Sequence, residues 1–458
     1  MGLADGVHMI PFSSWFRCAE GCDFRAALTE VVYECPRCGG LLEVEHDRAA
    51  LLERTAAEWK ALFEGRYRGG PWPYGSGVWG KKEWVYPELS VKNVVSLGEG
   101  ASPLLRVDRY ARAIGLSEVW VKQCGVTHTG SFKDLGMTVL VSAVKEMRSR
   151  GSSIRAVACA STGDTSAALA AYCAFAEIPA VVLLPRGKIS TAQLVQPISN
   201  GALVLELDAD FDGCMRVVKE LSSTKDIYLA NSMNSLRIEG QKTASIEIAQ
   251  QLGWSSPDWI VIPGGNLGNT SAVGKGFLLL KELGLVDRLP RLVVAQAEAA
   301  NPLWRSTTGA GRKPFSGIEV VPVAAGKTLA SAIQIGAPVS ARRALRALEA
   351  LNGLVEQAGE QELVDAGARA DRAGLFTCPH TAVALAALEK LASRGVVRPG
   401  ERVVVVSTAH GLKFSEVKTG YHDGVLPGLS SPLKNPGVKL PATLGAVQDA
   451  IAARFGPQ

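Results

Sequence analysis

A lysine at the mouth of a helix, hydroxyls and glycines at strand ends, and one arginine among amides are the residues of this chain whose types and spacing can do chemistry. In Thr127-His-Thr-Gly-Ser-Phe-Lys133-Asp-Leu-Gly-Met137, a polar loop runs into an apolar-periodic stretch (Leu135, Val139, Leu140, Val144). The spacing predicts a helix opening at Lys133, with Ser131 as its cap and Asp134 in its first turn. The positive end of a helix dipole disfavours an ammonium and lowers its pKa, as an imine-forming lysine requires. An ordinary exposed first-turn lysine is the plainer alternative.

Four further runs stand at expected strand-to-helix turns. Ala160-Ser-Thr-Gly-Asp-Thr-Ser166 offers hydroxyls and backbone N–H groups at a helix start, a cradle suited to a carboxylate. A plain helix cap explains one or two of those residues. Pro263-Gly-Gly-Asn-Leu-Gly-Asn269 has glycines at 264, 265 and 268, which let a backbone approach a phosphate closely. The spacing is not Gly-x-Gly-x-x-Gly, so a mononucleotide-sized phosphate suits it better than a dinucleotide. Asn231-Ser-Met-Asn-Ser-Leu-Arg237 gathers amides, hydroxyls and a guanidinium, a natural second phosphate site, or else a polar turn before a helix. Ser407-Thr-Ala-His-Gly411 places a hydroxyl at a strand end, within reach of a heterocyclic nitrogen, and His410 reads as structural. One lysine, one carboxylate cradle and two phosphate sites suit pyridoxal phosphate (PLP) with a phosphorylated amino acid.

The elements that must position these runs alternate. Ile154–Ala160, Ala180–Leu184, Ala202–Leu207, Ile227–Ala230, Trp259–Ile262, Leu292–Gln296 and Arg402–Val406 read as strands. Thr165–Glu177 and Gln241–Leu252 read as helices between them. That alternation predicts parallel α/β layers, whose ligands sit beyond the carboxyl ends of strands. At 458 residues the chain has room for two to three domains.

Near the start, Cys18-x3-Cys22 and Cys35-x2-Cys38-Gly-Gly form two knuckles twelve residues apart. Four thiolates so spaced can close a tetrahedron around a structural Zn²⁺. A ribbon that has lost its metal, or four free thiols, is the alternative. The remaining cysteines stand singly, which is reduced-compartment usage and not a disulfide framework. Residues 50–92 are rich in glycine and aromatics (Trp72, Trp79, Trp84) and read as a linker or subunit-contact arm. A formal net charge of +5 is spread along the chain with no basic–aromatic cluster, so nucleic acid is not an expected partner. No apolar run reaches the roughly 18–20 residues of a membrane span, and Met1 to Trp15 lacks the features of a secretory signal. A cytoplasmic location is therefore expected.

At these residues the chain resembles the threonine synthases, in the plant-like branch of the fold-type II PLP enzymes. The resemblance rests on His128-Thr-Gly-Ser-Phe-Lys-Asp-Leu-Gly-Met, Ser161-Thr-Gly-Asp-Thr-Ser, Leu236-Arg-Ile-Glu-Gly-Gln-Lys-Thr, the Pro263–Asn269 run, Ser331-Ala-Ile-Gln-Ile-Gly, Cys378-Pro-His-Thr and Ser407-Thr-Ala-His-Gly-Leu-Lys-Phe. It implies an α/β fold with two doubly wound domains, the active site between them, and an N-terminal zinc-ribbon-like module. The expected divisions are the module at 1–50, the arm and first part of the large domain at 51–150, a small α/β domain at 151–235, the large PLP-binding domain at 236–425 and a tail at 426–458.

The resemblance also implies roles. Lys133 carries PLP as a Schiff base and shuttles protons. Gly264, Gly265, Asn266, Leu267 and Gly268 bind the cofactor phosphate, and Thr408 contacts the pyridine nitrogen. Ser161, Thr162, Gly163 and Thr165 hold the substrate carboxylate; Asn231, Ser232 and Arg237 grip its phosphate. Asp164 stands where the wider fold type has an asparagine facing the ring hydroxyl, and two negative oxygens there would repel. The implied reaction turns O-phosphohomoserine into threonine. A relative acting on O-phosphoserine, a hydroxy-amino-acid dehydratase and a non-catalytic metabolite sensor are the competing readings. A homodimer and S-adenosylmethionine as effector are implied by the family alone.

Overall fold

Among the described residues thirteen strands form, most of them where aliphatic and β-branched residues run together. The computed structural model describes residues 12–161, 163–187, 191–308 and 314–456. In chain order the strands are β1 (Ser14–Cys18), β2 (Arg25–Ala27), β3 (Leu42–His46), β4 (Leu104–Arg106), β5 (Glu118–Gln123), β6 (Ala156–Ala160), β7 (Ala180–Pro185), β8 (Leu203–Leu207), β9 (Ile227–Leu229), β10 (Trp259–Pro263), β11 (Arg291–Ala297), β12 (Leu354–Ala358) and β13 (Arg402–Ser407). They build three sheets, ordered β2-β1-β3, β12-β11-β10-β13-β5-β4 and β8-β7-β6-β9.

The six-stranded sheet is parallel except for β4, which runs antiparallel to β5. The four-stranded sheet is parallel throughout. Parallel strands need crossovers, here helices, and those helices cover the sheet faces, so the central strands are buried on both sides. Trp259, Ile260, Val261, Ile262 and Pro263 are all buried. Helices follow the strands that carry the motifs: Lys133–Ser149 after β5, Asp164–Phe175 after β6, Leu236–Gln241 after β9 and Gly268–Glu282 after β10.

The small antiparallel sheet β2-β1-β3 carries Cys18 at the end of β1, with Cys22, Cys35 and Cys38 in the loops between its strands, and its apolar face (Phe16, Leu42, Val44) joins the same core as Trp59, Phe63 and Val139. The aromatic segment that follows departs from a subunit-contact arm. Trp79 and Trp84 are fully buried within the chain's own core. Trp84 meets Phe63 edge-on at 4.9 Å, and the Trp79 indole N–H donates to Thr138 Oγ1 at 2.8 Å. A buried indole offers a large apolar surface and one N–H; Thr138 pairs that of Trp79, whereas the Trp84 N–H has no partner among the described residues. Only Trp72 of the three is exposed. At the other end, the helix Leu444–Phe455 buries no residue.

Candidate active site

Five loops converge, each leaving the carboxyl end of a strand. Three come from the neighbouring strands β10, β13 and β5; two come from β6 and β9 of the four-stranded sheet. The loop after β5 is strapped to the loop after β13. Phe132 N–H donates to Thr408 O and His410 N–H donates to Gly130 O, both at 2.9 Å. Gly130 has φ +78°, and a Cβ on Gly125 would stand 2.3 Å from the Ala409 carbonyl carbon. These glycines let two backbones touch where side chains would hold them apart. The strap brings Thr408 beside the residue that precedes Lys133.

Lys133 is the first residue of its helix. No side chain provides the expected full cap; Ser131 Oγ accepts only the Lys133 N–H, at 3.4 Å. Asp134 turns away from the helix end and accepts the N–H and hydroxyl of Thr129. The Lys133 amine lies 3.8 Å from the centre of the Phe132 ring. Burial pushes it down, and the Arg237 guanidinium and Lys413 push the same way, while Asp164 opposes them; the result is about 7. The side chain keeps partial exposure, so a ligand can reach it.

Arg237 is 3% exposed. It donates from Nη1 to Ala230 O at 2.9 Å and from Nη2 to Thr165 Oγ1 at 3.4 Å, and its Nε has no partner. Among the described residues no carboxylate pairs with it. Burial alone pushes it down to about 10. A buried guanidinium left without an anion is costly to the fold. Its position is forced by packing: a Cβ on Gly136 would lie 2.9 Å from Arg237 Cβ, and one on Gly240 would lie 1.7 Å from Leu135 O. These two glycines let the helices bearing Lys133 and Arg237 press together. The lysine and the arginine therefore share one site.

The turn after β10 is a set of unspent donors. Leu267 sits in the left-handed region (φ 65°), and Gly265 is pressed against Ile333, whose Cα lies 2.9 Å from the position of a Cβ. Among the described residues, the N–H groups of residues 265 to 270 donate to no other protein group. Thr270 Oγ1 and Ser340 Oγ are buried without partners. Asn266 is held by Ser340 N–H, which donates to its carbonyl at 3.1 Å. Such a nest at a helix N-terminus binds anions.

The loop after β6 lies across from it. Ser161 Oγ accepts Gly163 N–H at 3.3 Å, and Thr165 is buried against Arg237. Thr162 lies outside the described residues. Ser232 is half-buried. Asn231 does something other than face an anion: its carboxamide pairs both ways with the backbone of Ala160, at 3.1 and 2.8 Å, and so pins the loop after β9 to the end of β6. Asp164 is buried, and Lys413 Nζ stands 3.0 Å from its Oδ1. Lys413 also donates to Thr129 O and Gln196 Oε1, both at 2.9 Å. It is the cation that answers the charge problem at Asp164. Its run, Ser407 to Phe414, is visible in the sequence, but nothing there points the amine at Asp164.

Cys378 and His380 also lie at this site. His380 Nε2 accepts Ala332 N–H at 2.9 Å, which holds the 331–336 segment against the glycine turn. Cys378 Sγ lies 3.8 Å from Thr408 Oγ1. Burial raises its thiol, but His380 and the Thr381 hydroxyl and amide outweigh that and bring it down to about 7.

Residues 95–409 match the family model described as "Pyridoxal-phosphate dependent enzyme". The chain is 54% identical over 426 residues to "Threonine synthase 2, chloroplastic" of Arabidopsis thaliana, covering 93% of this chain and 81% of that one. The chain belongs to the threonine synthase family. A second threonine synthase, from Methanocaldococcus jannaschii, is 39% identical over 385 residues, covering 84% of this chain and 89% of that one. The solved threonine synthase of Escherichia coli superposes with a TM-score of 0.65 at 20% identity, over 96% of this chain and all of that one, and so shares its fold. This threonine synthase family member is thus a PLP-dependent lyase of fold type II. Its residues fit the cofactor: a Lys133 amine brought down to about 7, a donor-lined glycine turn with two orphaned hydroxyls, and Thr408, whose carbonyl is strapped to the lysine loop.

The four cysteines meet as a separate cluster. Their sulfurs all lie within 4.8 Å of one another. Among the described residues no helix is long and apolar enough to cross a membrane.

Proposed function

We propose that the chain converts O-phospho-L-homoserine and water to L-threonine and phosphate. The observation that carries this reading is Arg237, a buried guanidinium with no carboxylate partner among the described residues, packed against the helix that opens with Lys133. A dehydratase acting on an unphosphorylated hydroxy amino acid has no use for that charge. Bound PLP supplies the electron sink that lets protons leave carbon beside the amino group. The chain's own residues do the rest. Lys133 would hold the cofactor covalently, and its amine, brought down to about 7 when free, would move protons at the substrate carbons. The Gly264–Gly268 turn binds the cofactor phosphate. Ser161, Thr162, Gly163 and Thr165 hold the substrate carboxylate. Arg237, with Ser232, holds the substrate phosphate, and Asn231 fixes their loop. Thr408 would meet the ring nitrogen, and Asp164, paired with Lys413, the ring hydroxyl. The Cγ–O bond breaks and phosphate leaves with its electron pair. A proton also leaves Cβ. The oxygen of water then bonds to Cβ as water gives up a proton. Cγ and Cα each gain a proton, which makes Cγ a methyl group, and the released phosphate takes up the proton left over.

Several finer points belong to the same reading. The four cysteines hold a structural Zn²⁺. Two chains form a homodimer, which light scattering would measure. S-adenosylmethionine is a candidate effector, tested by its effect on turnover. The chain works in the cytoplasm, whereas the Arabidopsis relative is named as chloroplastic; imaging a fluorescent fusion decides between the compartments. The test of the reaction is to supply O-phosphohomoserine and O-phosphoserine separately and measure phosphate and the amino-acid product. Threonine and phosphate in equal amounts from the first, with little release from the second, is the expected result. Faster turnover of O-phosphoserine would replace this reading with the competing one.

A further inference from the structure

We propose that metal bound by Cys18, Cys22, Cys35 and Cys38 braces Arg237, so that the ribbon sets the affinity of the substrate-phosphate site. This rests on the reading of Arg237 given above. Tetrahedral Zn²⁺ with thiolates at about 2.3 Å holds its sulfurs roughly 3.8 Å apart. Cys18 and Cys38 already stand 3.6 Å apart, and all four sulfurs lie within 4.8 Å.

The ribbon docks through the strand that leaves the second knuckle. In β3 the alternate residues Leu42, Val44 and His46 all engage the neighbourhood of Arg237. The carbonyl of Leu42 accepts from Ser235 Oγ and from Arg343. The carbonyl of Val44 accepts from Lys275. His46 Nε2 lies 2.7 Å from Glu239 Oε2. Ser235 and Glu239 are each two residues from Arg237, on either side of it. Across the sheet, Cys18 is paired in register with Leu42 itself. One short path therefore runs from a metal ligand through a strand pair and Ser235 to the arginine.

Glu239 makes this dock specific. It is fully buried, and although burial favours its neutral form, Lys242, Lys275 and His46 outweigh that and keep it ionised. His46 is buried too, and burial holds it neutral. The buried carboxylate is satisfied only while His46 of the ribbon and the two lysines surround it. The first knuckle holds a second anchor: Arg346 donates to Ala19 O, and Arg342 pairs with Glu20 at 2.9 Å. Their helix, Ala341–Ala350, starts one residue after Ser340, which fixes Asn266 in the cofactor-phosphate turn. The apolar face of the sheet packs on the chain's core, whereas the two knuckles that carry Ala19, Glu20 and the approach to Leu42 are loops, and it is these that a metal tied to all four cysteines would hold in place.

The test uses the PLP-loaded full chain. Metal content is measured by elemental analysis, and Zn²⁺ is then withdrawn with a thiol-reactive mercurial and a chelator. Inorganic phosphate is the probe for the Arg237 site, and amide hydrogen exchange reports on residues 236–242. About one Zn²⁺ per chain is expected. On its removal, phosphate affinity should fall about tenfold, exchange at 236–242 should rise, and the absorbance of bound cofactor should stay. His46→Gln leaves the cysteines intact; it should retain Zn²⁺ yet weaken phosphate in the same direction. Arg237→Ala separates the two readings: if it leaves phosphate affinity unchanged, the assignment of Arg237 fails, and hydrogen exchange then judges the brace alone. A chain isolated without metal, or unchanged exchange at 236–242 after metal removal, would overturn the brace.

Discussion

Two cationic side chains share one site: Lys133, held well below the ordinary lysine range, and Arg237, which meets no carboxylate among the described residues, a combination that is costly to the fold. Lys133 is pressed down to about 7, mainly by burial and then by Arg237. As pH rises through that value its proton leaves and the nucleophilic amine appears. The cofactor-free protein should therefore form its imine with PLP at a rate that climbs between about pH 6 and 8 and then levels, read by absorbance. A rate still climbing at pH 9 to 10 would show an ordinary lysine. Arg237→Met should do two opposite things. It should cut kcat/KM for the phosphorylated substrate by on the order of a hundredfold, about 2.7 kcal/mol. It should also raise the melting temperature of the cofactor-free protein by about 2–4 °C, because an uncompensated buried charge is gone. A lower melting temperature would mean that Arg237 is a structural group. At this scale much was legible: the lysine, glycine turn and arginine each stand in a run whose composition suits an anion or an imine. Lys413 and His380 were visible without their partners, since those lie some 250 and 48 positions away in the chain and no local spacing encodes them.

Elements bring those side chains together through a few positions where only glycine fits. Gly240→Ala would place a Cβ 1.7 Å from Leu135 O, a backbone atom that cannot move aside cheaply. It should destabilise the chain by about 3 kcal/mol or more and separate Lys133 from Arg237, seen as a lower denaturation midpoint and weaker phosphate binding. Gly163→Ala meets nothing within 4 Å and should leave stability nearly unchanged, which controls for glycine replacement as such. The strands β6, β7, β10, β11 and β13 were readable because buried parallel strands are unbroken aliphatic runs. β5 and β12 were not. β5 carries Lys122 in its interior, and that charge is tolerated because Glu247 and the Ser102 carbonyl meet it there. β12 (Leu354–Ala358) is a half-polar edge strand. Tertiary partners, not local pattern, made these strands.

In the molecule as a whole, two α/β layers offer loops to one another and the cysteine ribbon leans on the short helix that bears Arg237. The alternation of strands and helices was enough to foresee parallel layers and the placement of motifs at carboxyl ends. The aromatic segment was misjudged because a run of tryptophans carries no sign of whether it faces a second chain or its own core; Trp79 and Trp84 find Thr138 and Phe63 within this one. The central claim is that a single amine carries the cofactor while the neighbouring guanidinium receives the substrate phosphate. Borohydride reduction of the PLP-loaded protein followed by mass mapping of its peptides tests it most directly. The account predicts one pyridoxyl group per chain, on Lys133. A label on any other lysine, or none, would contradict it.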